Sequence, residues 1–279
     1  MAATGLSYCA QQVRRFDHDR YLTCLFAPAA RREQLFALYA FNLEVAKTAE
    51  LVSEAMLGRV RLQWWREALE GIYTARTAGH EVLEPLVEAV RRHGLSRVHF
   101  DRLIDAREFD LDGAAPETLA ALEHYAEGTS ASRVLLALEV LGAQGPAAAA
   151  AGRHVGIAFA LAGLLRAVPF DAGRKRLYLP QDLVRKSGLR IGELFELRSS
   201  AALNRIAEAI AARASRHLSE ARALSAQVPK AAAPALLPAV LAGQGLKALR
   251  KSGYDPFDAA VQERPSRPRL ACARLRGTC

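Results

Sequence analysis

Residues 156–180, GIAFALAGLLRAVPFDAGRKRLYLP, decide the fold of this chain. The first half is almost wholly apolar and, with the alanine-rich run before it, predicts one long helix over residues 147–168. Its most apolar part, Val155 to Leu165, spans about 11 residues, fewer than the roughly 18 that a membrane-spanning helix needs. We therefore expect a helix buried in a protein core. Pro169 favours an interruption of this helix before Asp171.

Helical apolar periodicity continues along nearly the whole chain. No stretch alternates as a β-strand does, and no polar linker is long enough to divide the chain. The sequence predicts an all-α protein with one domain over residues 1–262, followed by a basic, flexible tail over residues 263–279. Further predicted helices lie near residues 28–52, 57–75, 81–92, 96–111, 116–127, 130–141, 199–226 and 230–251.

The composition fits a globular protein with a large core, since 51% of the 279 residues are hydrophobic. The four cysteines (Cys9, Cys24, Cys272 and Cys279) lack metal-binding spacing and indicate reduced thiols. The net charge of +9 comes mostly from 32 arginines against 6 lysines. A GC-rich genome explains this bias at least as easily as a nucleic-acid partner, and we expect none. Anionic lipids or diphosphates are alternative partners for the basic charge.

Several blocks of the chain, in the right order, resemble the squalene/phytoene synthases. They include residues 30–41, residues 59–73, the pair Asp110-Leu111 and residues 228–254. Residues 156–180 resemble the second metal-binding helix of that family, with Gly156, Arg166 and the terminal Arg-x-Tyr-Leu-Pro in place. This resemblance implies an isoprenoid-synthase-like helical bundle around a central cavity.

Members of that family ionise an allylic diphosphate, so negative charge develops on the leaving group. Magnesium ions must bridge the diphosphate oxygens to carboxylates, because Mg²⁺ prefers oxygen ligands. The family carries these carboxylates in two acidic clusters on facing helices. Whether this chain keeps them decides whether it can perform the reaction.

The first acidic cluster falls on residues that lack most of its carboxylates. Ala46 and Lys47 stand at the paired aspartates and Leu43 at the arginine, and only Glu50 keeps a carboxylate. Glu54 lies four residues after Glu50, so a displaced acidic pair on one helical face is one alternative and a solvated face is the other. Lys47 puts a positive charge where a cation should bind.

The second acidic cluster is depleted in the same way. Ala160 stands at its glutamine, Gly163 at its asparagine, Ala167 at its first aspartate and Phe170 at its glutamate. Asp171 alone keeps a carboxylate. We therefore predict no metal site and no cofactor, with Mg²⁺ bound only if the chain is an active enzyme.

Three residues near the second cluster match the phosphate-side residues of the family. Arg166, Arg176 and Tyr178 are thus candidates for binding an anion or a diphosphate. The alternative is that the two arginines form structural ion pairs with Asp171, Glu50 or Asp182.

The retained blocks without their aspartates resemble one branch in particular, the mitochondrial assembly factors of respiratory complex I and their bacterial homologues. The resemblance rests on residues 40–44, 53–54, 125–127, Ser130 and residues 166–167. It implies a non-catalytic protein that helps to build NADH:ubiquinone oxidoreductase through protein partners, either complex I subunits or other assembly factors. It also implies peripheral contact with a membrane.

Two other functions fit the same residues. One is an active Mg²⁺-dependent head-to-head prenyltransferase of isoprenoid biosynthesis, and the other is a protein that binds a prenyl lipid or a diphosphate without catalysis. The expected location is the cytoplasm, peripheral to the inner membrane, in a bacterium, or the mitochondrial matrix and inner membrane in a eukaryote.

Overall fold

The structure is a computed structural model that describes residues 5–74 and 79–263. These residues form α-helices and short helical turns, and no β-strand occurs among them. Nearly all of the predicted tail over residues 263–279 lies outside the described residues, as do Cys272 and Cys279. Cys9 and Cys24 are buried free thiols, as the cysteine spacing predicts.

The helices follow one another with short connections. A π-helical segment (Glu127–Ala131) joins two of them, and single 3₁₀ turns span Phe109–Leu111, Ser225–Gln227 and Lys230–Ala232. The α-helices of the described part are α1 (Tyr8–Phe16), α2 (His18–Cys24), α3 (Ala29–Ala46), α4 (Thr48–Leu51), α5 (Ala55–Tyr73), α6 (Leu83–His93), α7 (Arg97–Glu108), α8 (Leu119–Ala126), α9 (Ser132–Leu141), α10 (Pro146–Gly173), α11 (Gln181–Ser187), α12 (Ile191–Phe195), α13 (Ala201–Ala223), α14 (Ala233–Leu236), α15 (Pro238–Lys251) and α16 (Ala259–Gln262).

The apolar interior consists of two packed regions. The first lies around α3, where Phe41 meets Trp65 of α5 and Phe100 of α7 edge to face, each with ring centroids 5.3 Å apart. The second lies between α10, α13 and α15. Phe159 of α10 packs against both regions, so α10 connects the two halves of the core.

Helix α10 is the long buried helix that the sequence predicts, but it is longer than expected. It continues through Pro169 to Gly173, so the prediction of an interruption before Asp171 is wrong. Val168 and Ala172 are buried on either side of the proline, and their packing holds the last turn although proline removes one backbone hydrogen bond.

The length and mean hydropathy of α10 would also allow it to cross a membrane, and the bent pair of residues 230–236 and α15 meets the same criteria. In the fold, α10 packs against α9, α13 and α15. Its apolar face is therefore covered by other helices of the chain, as for the core helix of a globular protein.

The π-helical segment is held between two helices by close backbone contacts. A Cβ atom on Gly156 of α10 would lie 2.3 Å from Ala131 Cα, and one on Gly128 would lie 2.7 Å from Ala106 Cβ of α7. Neither distance is tolerated between carbon atoms. Glycine at these two positions thus lets the segment sit between α7 and α10.

We expect Gly156→Ala to lower the free energy of unfolding by about 1–3 kcal/mol, because the added methyl group overpacks against the backbone of the π-helical segment. Gly163→Ala on the same helix is the matched control, since a Cβ atom there has no neighbour within 4 Å. The control should be neutral or stabilising by up to about 1 kcal/mol, because alanine favours helix. Urea unfolding of both variants measures the difference. Equal effects would contradict the close approach.

Candidate functional site

The two segments that correspond to the acidic clusters of the family face each other at one end of the bundle. The first comprises the end of α3 and α4, and the second comprises the last turns of α10 with the loop after it. Nη2 of Arg176 donates a hydrogen bond to the carbonyl oxygen of Ala49 at 2.7 Å. Arg174 forms an ion pair with Glu50 at 3.5 Å. The two segments thus lie opposite each other, and their side chains determine whether they can bind a metal ion or an anion.

Lys47 occupies the centre of the first segment. Ala46 is the last residue of α3, and Lys47 follows it at the break between α3 and α4. Its Nζ atom lies 3.6 Å from the ring centroid of Phe16, the last residue of α1. The attraction between the ammonium group and the ring face holds a positive charge at this position.

Glu50 does not form the acidic pair with Glu54 that was one alternative. Helix α4 ends at Leu51, Val52 is extended, and Glu54 precedes α5 in an extended conformation. The two carboxylates therefore do not share a helical face. Glu50 is exposed and pairs with Arg174 instead.

The second segment also presents few carboxylates. Gly163, Ala167 and Phe170 follow one another along α10 towards the first segment. The side chain of Phe170 is 55% exposed, and the Arg174 guanidinium lies 4.0 Å from its ring centroid. A second cation thus covers an aromatic ring at a position that the family resemblance aligns with an acidic residue.

The ion-pair partner of Arg166 is not one of those predicted. Its Nη2 atom lies 3.2 Å from Oδ2 of Asp19 in α2, so the expected pairs with Asp171, Glu50 or Asp182 are wrong for this arginine. Asp19 lies 147 positions away in the sequence, and no local pattern connects the two. Arg176 likewise uses a backbone carbonyl, that of Ala49, as its hydrogen-bond partner.

Asp171 is a partly buried carboxyl group without a hydrogen-bonded side-chain partner among the described residues. Burial raises its pKa to about 7, the nearby positive charge of Arg176 opposes this, and the negative charge of Asp110 adds to it. Asp171 therefore favours the protonated form more than an ordinary aspartate does.

A buried polar network lies beside Asp171. Both Tyr178 and Tyr125 donate hydroxyl hydrogen bonds to Oδ1 of Asp110 at 2.8 Å, and Arg107 pairs with Oδ2 at 2.9 Å. Burial is the main cause that raises the pKa of both tyrosines. Tyr178, predicted as an anion ligand, thus has its hydroxyl group engaged with Asp110. The family resemblance includes Asp110, Tyr125 and Tyr178 in separate blocks of the sequence. It indicates neither Arg107 nor the hydrogen bonds that join these residues.

A cavity of about 350 Å³ opens beside the second segment, between α10 and the turn from α1 to α2. We call it the mouth cavity. Its walls carry two arginines and two aspartates, of which Arg166 and Asp19 pair with each other. Its lining residues are Arg15, Phe16, Asp17, His18, Asp19, Gly163, Arg166, Ala167, Phe170 and Gln262.

The residues of the two facing segments do not fit a magnesium ion. Mg²⁺ requires oxygen ligands in octahedral geometry, usually with one or two carboxylates. Glu50 is paired with Arg174, and the pKa of Asp171 is raised. Lys47 of the first segment adds a positive charge, held over the ring of Phe16. Across the described ranges, no group of three or more His, Cys, Asp or Glu side chains could hold a metal ion.

The sequence matches the family described as squalene/phytoene synthase over residues 13–271. It is 34% identical to the "NADH dehydrogenase (ubiquinone) complex I, assembly factor 6" of Bos taurus, over 95% of this chain and 80% of that protein. It is 29% identical to the presqualene diphosphate synthase of Rhodopseudomonas palustris, over 72% of each chain. The fold resembles a dehydrosqualene synthase crystal structure with a TM-score of 0.83 and 21% identity, over 97% of this chain and 94% of that one.

We expect Asp171→Asn to stabilise the protein above pH 7. The folded pKa of Asp171 is raised from 3.8 to about 7, so the folded state binds more protons and the wild type loses stability as pH rises through this window. The variant should gain about 1–2 kcal/mol at pH 8, a value reduced for partial exposure, and much less at pH 4.

Urea unfolding at both pH values measures this gain, and Glu50→Gln controls for the loss of an exposed carboxylate. If Asp171→Asn lowered stability at pH 8, the folded state would favour the charged carboxylate. If Mg²⁺ stabilised the wild type and not this variant, Asp171 would act as a metal ligand. Either outcome would contradict the assignment of a raised pKa to a carboxyl group that holds no metal ion.

Proposed function

The chain belongs to the squalene/phytoene synthase family, and we propose that it acts in the assembly of respiratory complex I and not in prenyl transfer. The relative named complex I assembly factor 6 shares 34% identity with it over 95% of its length. Identity to a presqualene diphosphate synthase is lower and covers less of the chain. The proposal transfers the role of the more similar relative to this protein.

The observation that carries the proposal is the chemistry of the two facing segments. Lys47 and Arg174 each lie over an aromatic ring at 3.6 and 4.0 Å, and Arg166 pairs with Asp19. These cations are held in place by partners of their own. The segments therefore offer positive charge where the family reaction needs carboxylates to hold metal ions.

This arrangement removes the step that starts the reaction. Ionisation of an allylic diphosphate needs Mg²⁺ to neutralise the leaving group, and basic side chains alone supply less of that stabilisation. An arginine or lysine can bind a diphosphate in its ground state without lowering the barrier, because only interactions that strengthen in the transition state accelerate a reaction. We infer that the protein works through binding, with no metal and no cofactor.

We propose that the protein contacts a membrane through an apolar stripe on α5. Met56, Val60 and Trp64 lie at i, i+4 and i+8, with exposures of 64%, 61% and 40%. The opposite face of the helix, including Leu62 and Trp65, is buried. Isolated exposed apolar residues are common, but a stripe along one helical face indicates a contact surface.

The chemistry around this stripe favours an anionic membrane as the occupant. The stripe lies shortly after the first segment in the sequence. Leu51, the last residue of that segment, is also exposed and follows Glu50, the partner of Arg174. Tryptophan and aliphatic side chains along one helical face are typical of helices that lie at a membrane surface. The net charge of +9 adds attraction to anionic lipids. Protein partners from complex I assembly would meet the chain at that membrane, in the bacterial cytoplasm or the mitochondrial matrix.

We expect no C30 or C40 product when the purified protein is incubated with farnesyl or geranylgeranyl diphosphate, Mg²⁺ and NADPH, because its carboxylates cannot hold the metal ions. Isotope-labelled substrates and an active squalene synthase as control provide the measurement. Formation of product by the unmodified protein would instead support the second candidate function, a prenyltransferase like the presqualene diphosphate synthases.

Deletion of the gene in its own cells should lower complex I activity in isolated membranes, measured as rotenone-sensitive NADH oxidation. Wild type should restore that activity, and so should Asp171→Asn, since the role does not depend on a metal-binding carboxylate. Unchanged complex I activity in the deletion strain would refute the assembly role. If the wild type restored complex I activity and Asp171→Asn did not, the assembly role would depend on that carboxylate.

We expect the protein to bind phosphatidylglycerol vesicles more tightly than phosphatidylcholine vesicles, and Val60→Glu to weaken this binding by about tenfold or more, because a carboxylate at the lipid contact costs over about 1.4 kcal/mol. Ile191→Glu, an exposed apolar position on α12, is the matched control. Vesicle co-sedimentation measures the binding. If no vesicle bound while Val60→Glu still lowered complex I activity, the stripe would contact a protein and the membrane proposal would fail.

A further inference from the structure

The interior of the bundle contains an arginine that forms no ion pair with the described chain. Arg133 of α9 is 7% exposed and forms no hydrogen bond or ion pair with a residue of the described part. Its Nε atom is sealed from solvent without a partner. Burying an ion in this way costs several kcal/mol unless an opposite charge compensates it.

A second buried arginine lies near the first. Arg20 of α2 is 5% exposed and pairs with Asp17 at 2.7 Å, but its Nη2 atom has no partner. Its guanidinium lies 4.7 Å from the ring centroid of Phe159 and 5.8 Å from that of Tyr39. Burial, followed by the positive charge of Arg20, lowers the pKa of Arg133 well below its usual value, and the negative charge of Asp17 opposes this. A guanidinium nevertheless stays protonated at neutral pH, so the repulsion persists.

Ion pairs compensate two of the three buried arginines at this place. Arg107 is compensated by Asp110 at 2.9 Å, Arg20 is compensated by Asp17, and Arg133 is left over. Tyr39 is also buried, and its hydroxyl group makes no hydrogen bond to the residues that the structure describes. A water molecule could accept hydrogen bonds from these groups but could not neutralise the charge.

We propose that the bundle interior binds one oxoanion head group, a phosphate or a carboxylate, between Arg133 and Arg20. The planar guanidinium groups match the oxygen pairs of such anions, and one bound anion would balance the excess charge. Tyr39, whose ring centroid lies 5.8 Å from the Arg20 guanidinium, carries a further donor for such an anion. This inference goes beyond the assembly role and does not depend on it.

Two cavities are lined by residues that contact Arg20, and they suggest how a ligand reaches this site. Asp17, the partner of Arg20, lines the mouth cavity. Phe159, which contacts Arg20, lines a second cavity of about 70 Å³ between α10 and α15 with mostly apolar walls. The first cavity offers a path for a free anion, and the second offers room for part of an apolar chain attached to it.

The test is thermal unfolding of the full chain in phosphate-free buffer with EDTA. The probes are inorganic phosphate, inorganic diphosphate and farnesyl monophosphate, with farnesol and matched sodium chloride as controls. At saturation we expect an anionic probe to raise Tm by about 3–8 °C and the controls to leave it unchanged. A rise with the inorganic anions would identify a free oxoanion, and a rise with farnesyl monophosphate alone would identify the head group of a lipid. Either result supports the proposal.

Two arginine variants separate this role from a purely structural one. Arg133→Leu should raise the Tm of the ligand-free protein, because it removes an uncompensated buried charge, and it should abolish the rise caused by the probe. Arg133→Lys keeps the charge and should retain a smaller rise. Arg153→Leu is the matched control, since Arg153 is paired with Glu127 at 2.6 Å. It should lower the ligand-free Tm and keep the probe effect.

Three results would overturn the proposal. The first is that none of the anionic probes raises Tm above the farnesol and chloride controls. The second is that Arg133→Leu retains the full rise. The third is that Arg133→Leu lowers the ligand-free Tm as Arg153→Leu does, which would make Arg133 an ordinary structural residue.

Discussion

The close backbone contact between α10 and the π-helical segment Glu127–Ala131 is the constraint on which the rest of the structure depends. Gly156 approaches the Ala131 backbone from one side, while Gly128 approaches Ala106 of α7 from the other. The contact sets where α10 crosses the bundle, and so it sets where the last turns of α10 meet α4. π-Helical segments occur often at functional sites because they redirect side chains. Here the segment lies between the buried Tyr125, which binds Asp110, and the unpartnered Arg133.

Three cations lie at the end of the bundle where the two segments face each other, and each cation has its own partner. Lys47 lies over Phe16, Arg174 contacts both Phe170 and Glu50, and Arg166 pairs with Asp19. Exposed ion pairs of this kind contribute at most about 1 kcal/mol each. Their main effect is to hold the three cations in place beside the two facing segments and the mouth cavity. A single restored aspartate would therefore not suffice to create a metal site, because the neighbouring cations would repel the metal ion and pair with the new carboxylate.

Much of the fold could be predicted from the sequence, because apolar periodicity and the order of the blocks are local properties. The all-α class and the buried α10 follow from the periodicity, and the facing of the two segments follows from the family resemblance. Contacts between distant residues could not be predicted. Asp19 and Arg166 are 147 positions apart, so no spacing connects them. The helix through Pro169 was also missed, because neighbouring buried residues outweigh the local effect of proline. Arg133 gave no signal, since an arginine among apolar residues resembles any surface position of a helix.

The interior of the bundle and its mouth both carry more positive charge than the family reaction requires. An enzyme that generates a carbocation needs negative charge at the mouth, to hold metal ions, and an apolar interior that does not repel the cation. This chain has cations at the mouth and two buried guanidinium groups inside, of which Arg133 lacks a counter-charge. A positive interior would destabilise a carbocation through the low local dielectric constant, and the same field would stabilise an anion. Both features agree with the proposed function, in which the protein binds an anionic molecule without changing it.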